Sequence, residues 1–124
     1  MDKQVRVYIE IEKDSNEKYE LDKERGELVL DRLLPYPYYY PYSYGFITQT
    51  LAMDDDELDA LIISDKMVEK NRFYDVFIIG VLIMEDEKGM DEKVLCVFKE
   101  DYDELKDLDD LCQEIKDNIH WFFF

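Results

Sequence analysis

A short stretch in the middle of the chain carries five carboxylates in six residues: Asp54, Asp55, Asp56, Glu57, Leu58 and Asp59. The apolar run Ala60-Leu61-Ile62-Ile63 follows directly, so the stretch leads into a strand that we expect to be buried. Carboxylates this close repel one another unless a cation lies among them, and their oxygens are the ligands that Mg²⁺ prefers. The stretch therefore predicts either a divalent-metal site or a solvated acidic turn.

A second acidic turn, residues 85–92, precedes another strand-like run. If the two turns meet at one end of the fold, they form a pocket for several metal ions, with Glu10 and Glu20 around it. The carboxylates that would meet there are Asp54, Asp56, Asp59, Asp86 and Asp91. A calcium-binding EF-hand does not fit, because the sixth position counted from Asp54 is Asp59 instead of Gly and the twelfth is Asp65 instead of Glu.

The basic residues are few, so their positions are informative. Lys18 lies two residues before Glu20, Arg32 ends the next predicted strand, and Lys93 opens the strand after the second acidic turn. Any one of them alone would be read as a solvated surface charge. Together with the carboxylates and a tyrosine-rich loop, they indicate a site for a metal-chelated polyanion. The single histidine, His120, lies near the end of a terminal helix, so the sequence gives no support to Ser or Cys nucleophile chemistry, and no glycine-rich nucleotide loop is present.

The composition predicts one folded domain over residues 1–124, since 47% of the residues are hydrophobic. The net charge is −17, and the basic residues form no cluster that could neutralise a phosphate backbone or an anionic membrane surface. Neither a signal peptide nor a membrane span is expected. The spacing of Cys96 and Cys112 matches no metal or redox motif, so we expect reduced thiols and a cytoplasmic protein.

Alternating and strongly apolar runs predict strands over residues 4–11, 18–21, 27–34, 58–64, 75–84 and 93–98. In the first, Val5, Val7, Ile9 and Ile11 share one face. Residues 22–26 predict a hairpin turn in which Gly26 has a positive φ, with Leu28 and Leu30 facing inward after it.

All three prolines and six of the ten tyrosines fall within residues 35–45, which predicts an extended loop whose tyrosines mostly pack over a barrel mouth. From Asp103 onward, helical spacing predicts one helix, or two broken near Asp110. The architecture expected from these elements is mainly β with α: a small barrel with a C-terminal helix packed on it.

Segments along nearly the whole chain resemble the soluble family I inorganic pyrophosphatases. Asp54-Asp55-Asp56-Glu57-Leu58-Asp59-Ala60 resembles the family's signature. The other matching segments follow in the expected order: Tyr8-Ile9-Glu10-Ile11, Lys18-Tyr19-Glu20-Leu21-Asp22-Lys23, Leu30-Asp31-Arg32, Tyr40-Pro41-Tyr42-Ser43-Tyr44-Gly45-Phe46, Gly80-Val81-Leu82, Asp86-Glu87-Lys88-Gly89, Asp91-Glu92-Lys93 and Lys106-Asp107-Leu108.

The resemblance implies hydrolysis of pyrophosphate to two orthophosphates by a metal-activated water, in an OB-like five-stranded barrel that forms a homohexamer or homodimer. Several Mg²⁺ ions would be held by Asp54, Asp59, Asp86 and Asp91. Asp56 would be the general base. Substrate would be bound by Lys18, Arg32, Tyr40, Tyr44 and Lys93, and the pocket would be lined by Glu10, Glu20 and Glu87.

The chain ends at Phe124, before a Tyr-Lys pair and a helical tail that the family carries. We therefore expect an intact active-site core with reduced phosphate affinity. The alternative is a C-terminally shortened, catalytically impaired relative that acts as an acidic divalent-metal-binding or protein-interaction module. The joint presence of Asp56, Lys18, Arg32 and Lys93 favours the enzyme, since a binding module needs no general base beside phosphate-binding cations.

Overall fold

The computed structural model describes residues 4–48, 57–86, 89–104 and 111–123, with the side chain of Asp86 outside this description. The strands are β1 (Gln4–Ile11), β2 (Glu17–Asp22), β3 (Glu27–Leu33), β4 (Ser43–Ile47), β5 (Asp59–Ile62), β6 (Phe73–Asp86) and β7 (Gly89–Val97). The helices are α1 (Lys99–Tyr102) and α2 (Gln113–Phe123).

Five strands close into a barrel in the order β1-β4-β5-β7-β6. The pairs are antiparallel except β5 and β7, which run parallel, whereas β2 and β3 form a separate two-stranded sheet beside the barrel. The predicted OB-like five-stranded barrel is therefore confirmed. The parallel pair matters for the site, because it sets Asp59 of β5 directly beside Lys93 of β7.

Burial along β1 confirms the predicted alternation, since Val7, Ile9 and Ile11 are at most 1% exposed. Tyr8 on the opposite face is also buried, because the rings of Phe46 and Phe73 pack on it at 5.5 and 5.1 Å between centroids. The strand therefore packs on both faces, which period-two alternation by itself does not reveal.

The β2–β3 hairpin turns at Gly26, whose φ of 69° confirms the predicted left-handed position. The prediction that Leu30 faces inward is wrong, because 44% of this residue is exposed. The reason is topological: the hairpin forms its own small sheet, and the barrel interior is closed without it.

The predicted loop over residues 35–45 is wrong at its end, where β4 begins at Ser43 and pairs with both β1 and β5. Gly45 permits this pairing, because a Cβ atom there would lie 1.7 Å from the carbonyl oxygen of Tyr8. Tyr40 and Tyr42 are buried as expected of the packed tyrosines, whereas Tyr36 is 86% exposed. Aromatic packing thus holds for only part of this segment.

Helix α2 packs on the barrel through Ile119, which is 4% exposed and shares a core cluster with Leu61, Leu95 and Val97. The predicted C-terminal helix is therefore confirmed. The suggested break near Asp110 lies outside the described residues, although α1 ends before it and α2 begins after it. None of the helices in the described ranges has the length and apolarity that crossing a membrane requires.

Candidate active site

A cavity of about 410 Å³ lies between the β2–β3 hairpin and the barrel. It collects seven of the residues singled out from the sequence, which come from β1, β2, β4, β5 and β7: Glu10, Lys18, Glu20, Tyr44, Asp59, Asp91 and Lys93. Residues separated by up to 83 positions in sequence therefore line one space. The site exists because barrel closure brings β1, β4, β5 and β7 together and the β2–β3 hairpin lies beside them.

Lys93 is at the centre of this arrangement. Its Nζ donates hydrogen bonds to Asp59 Oδ2 at 3.2 Å, Asp91 Oδ2 at 3.1 Å and Tyr44 Oη at 2.8 Å. Strand geometry explains these partners: Asp59 is the register partner of Lys93 in the parallel pair, and Asp91, two residues earlier on β7, points to the same face. The lysine side chain is only 8% exposed, so all three of its donors are satisfied within the protein.

Two aromatic rings pack close to the Lys93 ammonium. Its Nζ lies 5.0 Å from the centroid of Tyr44 and 5.4 Å from that of Phe123, the last residue of α2. Both distances are within the range of a cation–π interaction. Helix α2 thus contributes to the site through a ring that packs against its central cation.

The Tyr44 hydroxyl stays protonated over the whole working range of a protein. Burial raises the pKa of Tyr44 well above its usual value, and the negative charge of Asp59 raises it further. The neutral hydroxyl accepts from Lys93 and donates to the carboxylate of Asp59, and this hydrogen bond also raises the pKa of Tyr44. Tyr44 is therefore a neutral donor in the cavity lining, and its proton is directed at an oxygen anion, that of Asp59.

Glu10 connects the barrel to the hairpin. Its Oε2 accepts the backbone N–H of Leu21 at 2.8 Å. Burial raises the pKa of Glu10 to about 7, with the negative charges of Asp59, Glu20 and Glu57 adding to the effect, although the hydrogen bond from Leu21 opposes it. Without a bound cation, a further negative charge beside Glu10 in the cavity is therefore unfavourable.

Lys18 and Arg32 face each other across the hairpin as register partners. Lys18 lines the cavity, with its Nζ 3.6 Å from Asp31 and 4.0 Å from Glu20. Arg32 is exposed and stands outside the lining of the cavity. Of these two cations, only Lys18 therefore lines the cavity.

Tyr40 also stands behind the cavity wall, buried, with its ring 5.3 Å from that of Tyr44. Burial raises the pKa of Tyr40 to about 12, and the positive charge of Arg32 acts in the opposite direction. Its place in the structure is that of a support for Tyr44.

Several predicted site residues lie outside the described part of the chain: Asp54, Asp56, Glu87 and the side chain of Asp86. Among the described residues, no group of three or more His, Cys, Asp or Glu side chains converges as a metal site. The donors that are described still suit a hard cation, because Asp59 and Asp91 each place a carboxylate oxygen within 3.2 Å of the same ammonium nitrogen. This donor chemistry fits Mg²⁺.

Sequence reasoning missed one charged pair in the cavity, Lys23 with Glu57. The Lys23 Nζ contacts the Glu57 carboxylate and lowers its pKa, and it also lies 5.7 Å from the ring centroid of Phe46. Lys23 belongs to the hairpin turn, and Glu57, 34 residues later, lies just before β5. No local pattern signals this contact, because only the docking of the hairpin on the barrel creates it.

Comparison with known proteins identifies the family of the chain. The family model for inorganic pyrophosphatase matches residues 7–124. The chain is 46% identical to the inorganic pyrophosphatase of Helicobacter pylori over 121 residues, covering 94% of this chain and 70% of the relative. It is 42% identical to that of Thermus thermophilus, covering 96% and 69%.

Solved structures give the same result. The inorganic pyrophosphatase structure from H. pylori superposes with a TM-score of 0.91 at 44% identity, covering 97% of this chain and 73% of that one. The structure from T. thermophilus gives a TM-score of 0.92 at 41% identity, covering 98% and 71%. The chain belongs to the inorganic pyrophosphatase family.

Proposed function

We propose that this protein hydrolyses inorganic pyrophosphate to two orthophosphates, with Mg²⁺ as cofactor. The observation that carries the proposal is the cavity in which Lys93, Tyr44, Asp59 and Asp91 converge, in a chain that belongs to this family. Nothing in the comparisons favours the alternative of a non-catalytic binding module.

The metal ligands in this proposal are Asp59 and Asp91, together with Asp54 and Asp86. Support comes from the hard oxygen donors that β5 and β7 bring together. Bound there, Mg²⁺ supplies Lewis-acid activation of water and part of the positive charge that a pyrophosphate requires. The raised pKa of Glu10 is in line with this, because it marks a cavity in which uncompensated negative charge is unfavourable.

The protein's own groups position the substrate and move the proton. Lys18, Arg32 and Lys93 neutralise phosphate oxygens, which is the main requirement of phosphoryl transfer. Tyr44, packed against the ring of Tyr40, donates its hydroxyl proton to a phosphate oxygen in place of Asp59, once Asp59 binds metal. The Asp56 carboxylate takes a proton from the attacking water, while Glu10, Glu20 and Glu87 line the pocket.

We further propose that residues 1–124 act as one domain and that the protein is a cytoplasmic homo-oligomer, a hexamer or a dimer. Large apolar side chains at the surface support self-association: Leu33 is 60% exposed, Trp121 55% and Tyr36 86%. Sedimentation velocity of the purified protein measures the assembly, and a monomer at micromolar concentration would contradict it.

Phosphate release from pyrophosphate in the presence of Mg²⁺ tests the activity. The wild type should turn over, Asp56→Asn should lose turnover, and Asp59→Asn should lose both rate and metal affinity. Asp75→Asn is the matched control, because Asp75 is exposed in an ion pair with Arg6 and does not line the cavity. An inactive wild type, or full activity in Asp56→Asn, would refute the proposal, and Mg²⁺ binding without hydrolysis would favour the binding module.

A further inference from the structure

We assign Asp59 and Asp91 as ligands of Mg²⁺. In the structure, the Lys93 ammonium lies between their two carboxylates. Its Nζ contacts the Oδ2 atoms of both Asp59 and Asp91. The side chains of Asp59 and Asp91 are 34% and 46% exposed, whereas that of Lys93 is 8% exposed, so the lysine side chain is more buried than the carboxylates it joins. The chain's own ammonium, that of Lys93, therefore balances the two carboxylate charges that a bound Mg²⁺ ion would otherwise balance.

We propose that Lys93 is an internal counter-ion of the metal-free site. Its ammonium holds Asp59 and Asp91 together before Mg²⁺ arrives, competes with Mg²⁺ for them, and is released toward phosphate once the metal has bound. This inference rests on the proposed function, because it takes Asp59 and Asp91 to be metal ligands.

Competition follows from charge and geometry. A divalent ion on the same two oxygens would lie next to the ammonium, in a cavity where partial burial weakens screening by water. The lysine stem is a flexible four-carbon chain, so its head can move while the backbone of β7 stays in the sheet. When Mg²⁺ and the Lys93 ammonium compete for the two carboxylates, we therefore expect the ammonium to move away.

The aromatic contacts limit where the head can go. The rings of Tyr44 and Phe123 lie close to Nζ at 5.0 and 5.4 Å and close off part of its surroundings. The open direction is the cavity, where Lys18 also lies. Displacement by metal thus delivers a second positive charge to the place where the phosphates are proposed to bind, so that metal loading prepares the phosphate site.

Lys18 provides a matched comparison. It is a lysine in the same cavity, yet its carboxylate neighbours are Glu20 at 4.0 Å and Asp31 at 3.6 Å, and neither is a proposed metal ligand. Removing the Lys18 charge changes the general potential of the cavity without removing a competitor for Asp59 and Asp91. The difference in Mg²⁺ affinity between the Lys93 and Lys18 variants therefore separates direct competition for Asp59 and Asp91 from the general electrostatic effect of removing a positive charge.

Calorimetric titration with Mg²⁺ alone, without pyrophosphate and at fixed ionic strength, tests the inference. Lys93→Met should bind Mg²⁺ about tenfold more tightly than the wild type, and Lys18→Met less than about threefold more tightly. Lys93→Arg keeps the charge and should not gain affinity. Thermal unfolding gives a second measure: in EDTA, Lys93→Met should melt below the wild type, and saturating Mg²⁺ should raise its melting temperature by more.

If Lys93→Met does not fold without metal, Lys93→Gln keeps a hydrogen-bond donor without the charge and should show the same tightening. Unchanged or weaker Mg²⁺ affinity in the neutral Lys93 variants would overturn the counter-ion role. Asp59→Asn separates this outcome from failure of the proposed function. If Asp59→Asn weakens Mg²⁺ binding while the Lys93 variants leave it unchanged, only this inference fails; if Asp59→Asn has no effect, the metal assignment fails too.

Discussion

Replacing Glu10 by glutamine should stabilise the metal-free protein near pH 7.5 and leave it unchanged near pH 4.5. The half-buried Glu10 carboxyl has its pKa raised by burial from 4.5 to about 7. The folded protein therefore holds this proton more tightly than the unfolded chain does. Unfolding releases the proton between these two values, so the contribution of Glu10 to the free energy of unfolding falls as pH rises through this window.

The size of the effect follows from the same two values. The difference between the two pKa values corresponds to about 3 kcal/mol at the upper limit, and water reaching the partly exposed carboxyl reduces this to about 1–2 kcal/mol. Glutamine has nearly the shape of the protonated acid, and its amide oxygen can still accept the Leu21 N–H. The free energy of unfolding of Glu10→Gln should therefore not contain the pH-dependent decrease caused by Glu10. The variant should also keep the hydrogen bond between β1 and β2.

Urea unfolding in EDTA at several pH values between 4.5 and 7.5 measures the effect as the difference between wild type and Glu10→Gln. Other carboxylates titrate in both proteins, so taking the difference removes most of their contribution. Glu24→Gln controls for the loss of one negative charge, because Glu24 is exposed in the hairpin turn. A difference that stays constant with pH, or that is larger at pH 4.5 than at 7.5, would refute the reasoning.

Three further predictions concern the fold and the site. Gly45→Ala should lower the free energy of unfolding by about 3 kcal/mol or more, because its Cβ would lie 1.7 Å from the Tyr8 carbonyl oxygen and separate β1 from β4. Gly26→Ala, at φ 69° with no atom within 4 Å, should cost only about 1 kcal/mol, and equal losses in urea unfolding would contradict this account. Ile119→Ala should cost about 2–5 kcal/mol by leaving a cavity between α2 and the barrel, and a loss below about 1 kcal/mol in the same assay would mean that the helix is held elsewhere. Lys18→Met should raise the KM for pyrophosphate about tenfold or more through loss of a charge-assisted hydrogen bond, and steady-state kinetics with an unchanged KM would remove Lys18 from the substrate site.

The sequence by itself determined those structural features that depend only on residues close together in the chain. Period-two alternation identified the inward face of β1, a glycine after a charged turn identified the positive φ of Gly26, and helical spacing identified the packed face of α2. Each follows from the local geometry of strand, turn or helix. The two acidic segments could also be recognised in the sequence. Because the order of segments resembles that of the inorganic pyrophosphatases, the sequence also predicted metal binding and pyrophosphate hydrolysis for them. The roles of Asp54, Asp56, Asp86 and Glu87 remain predictions from that order.

What only the tertiary structure decided is which residues meet. Leu30 looks like a core residue in sequence but is exposed, because the β2–β3 hairpin does not enter the barrel. Lys23 and Glu57 look unrelated but form an ion pair. Lys93 lies between Asp59 and Asp91 because β5 and β7 pair in parallel, and alternation along one strand does not specify its neighbour across the sheet. That choice is made by closure of the barrel around a shared core, and it converts scattered charges into one site.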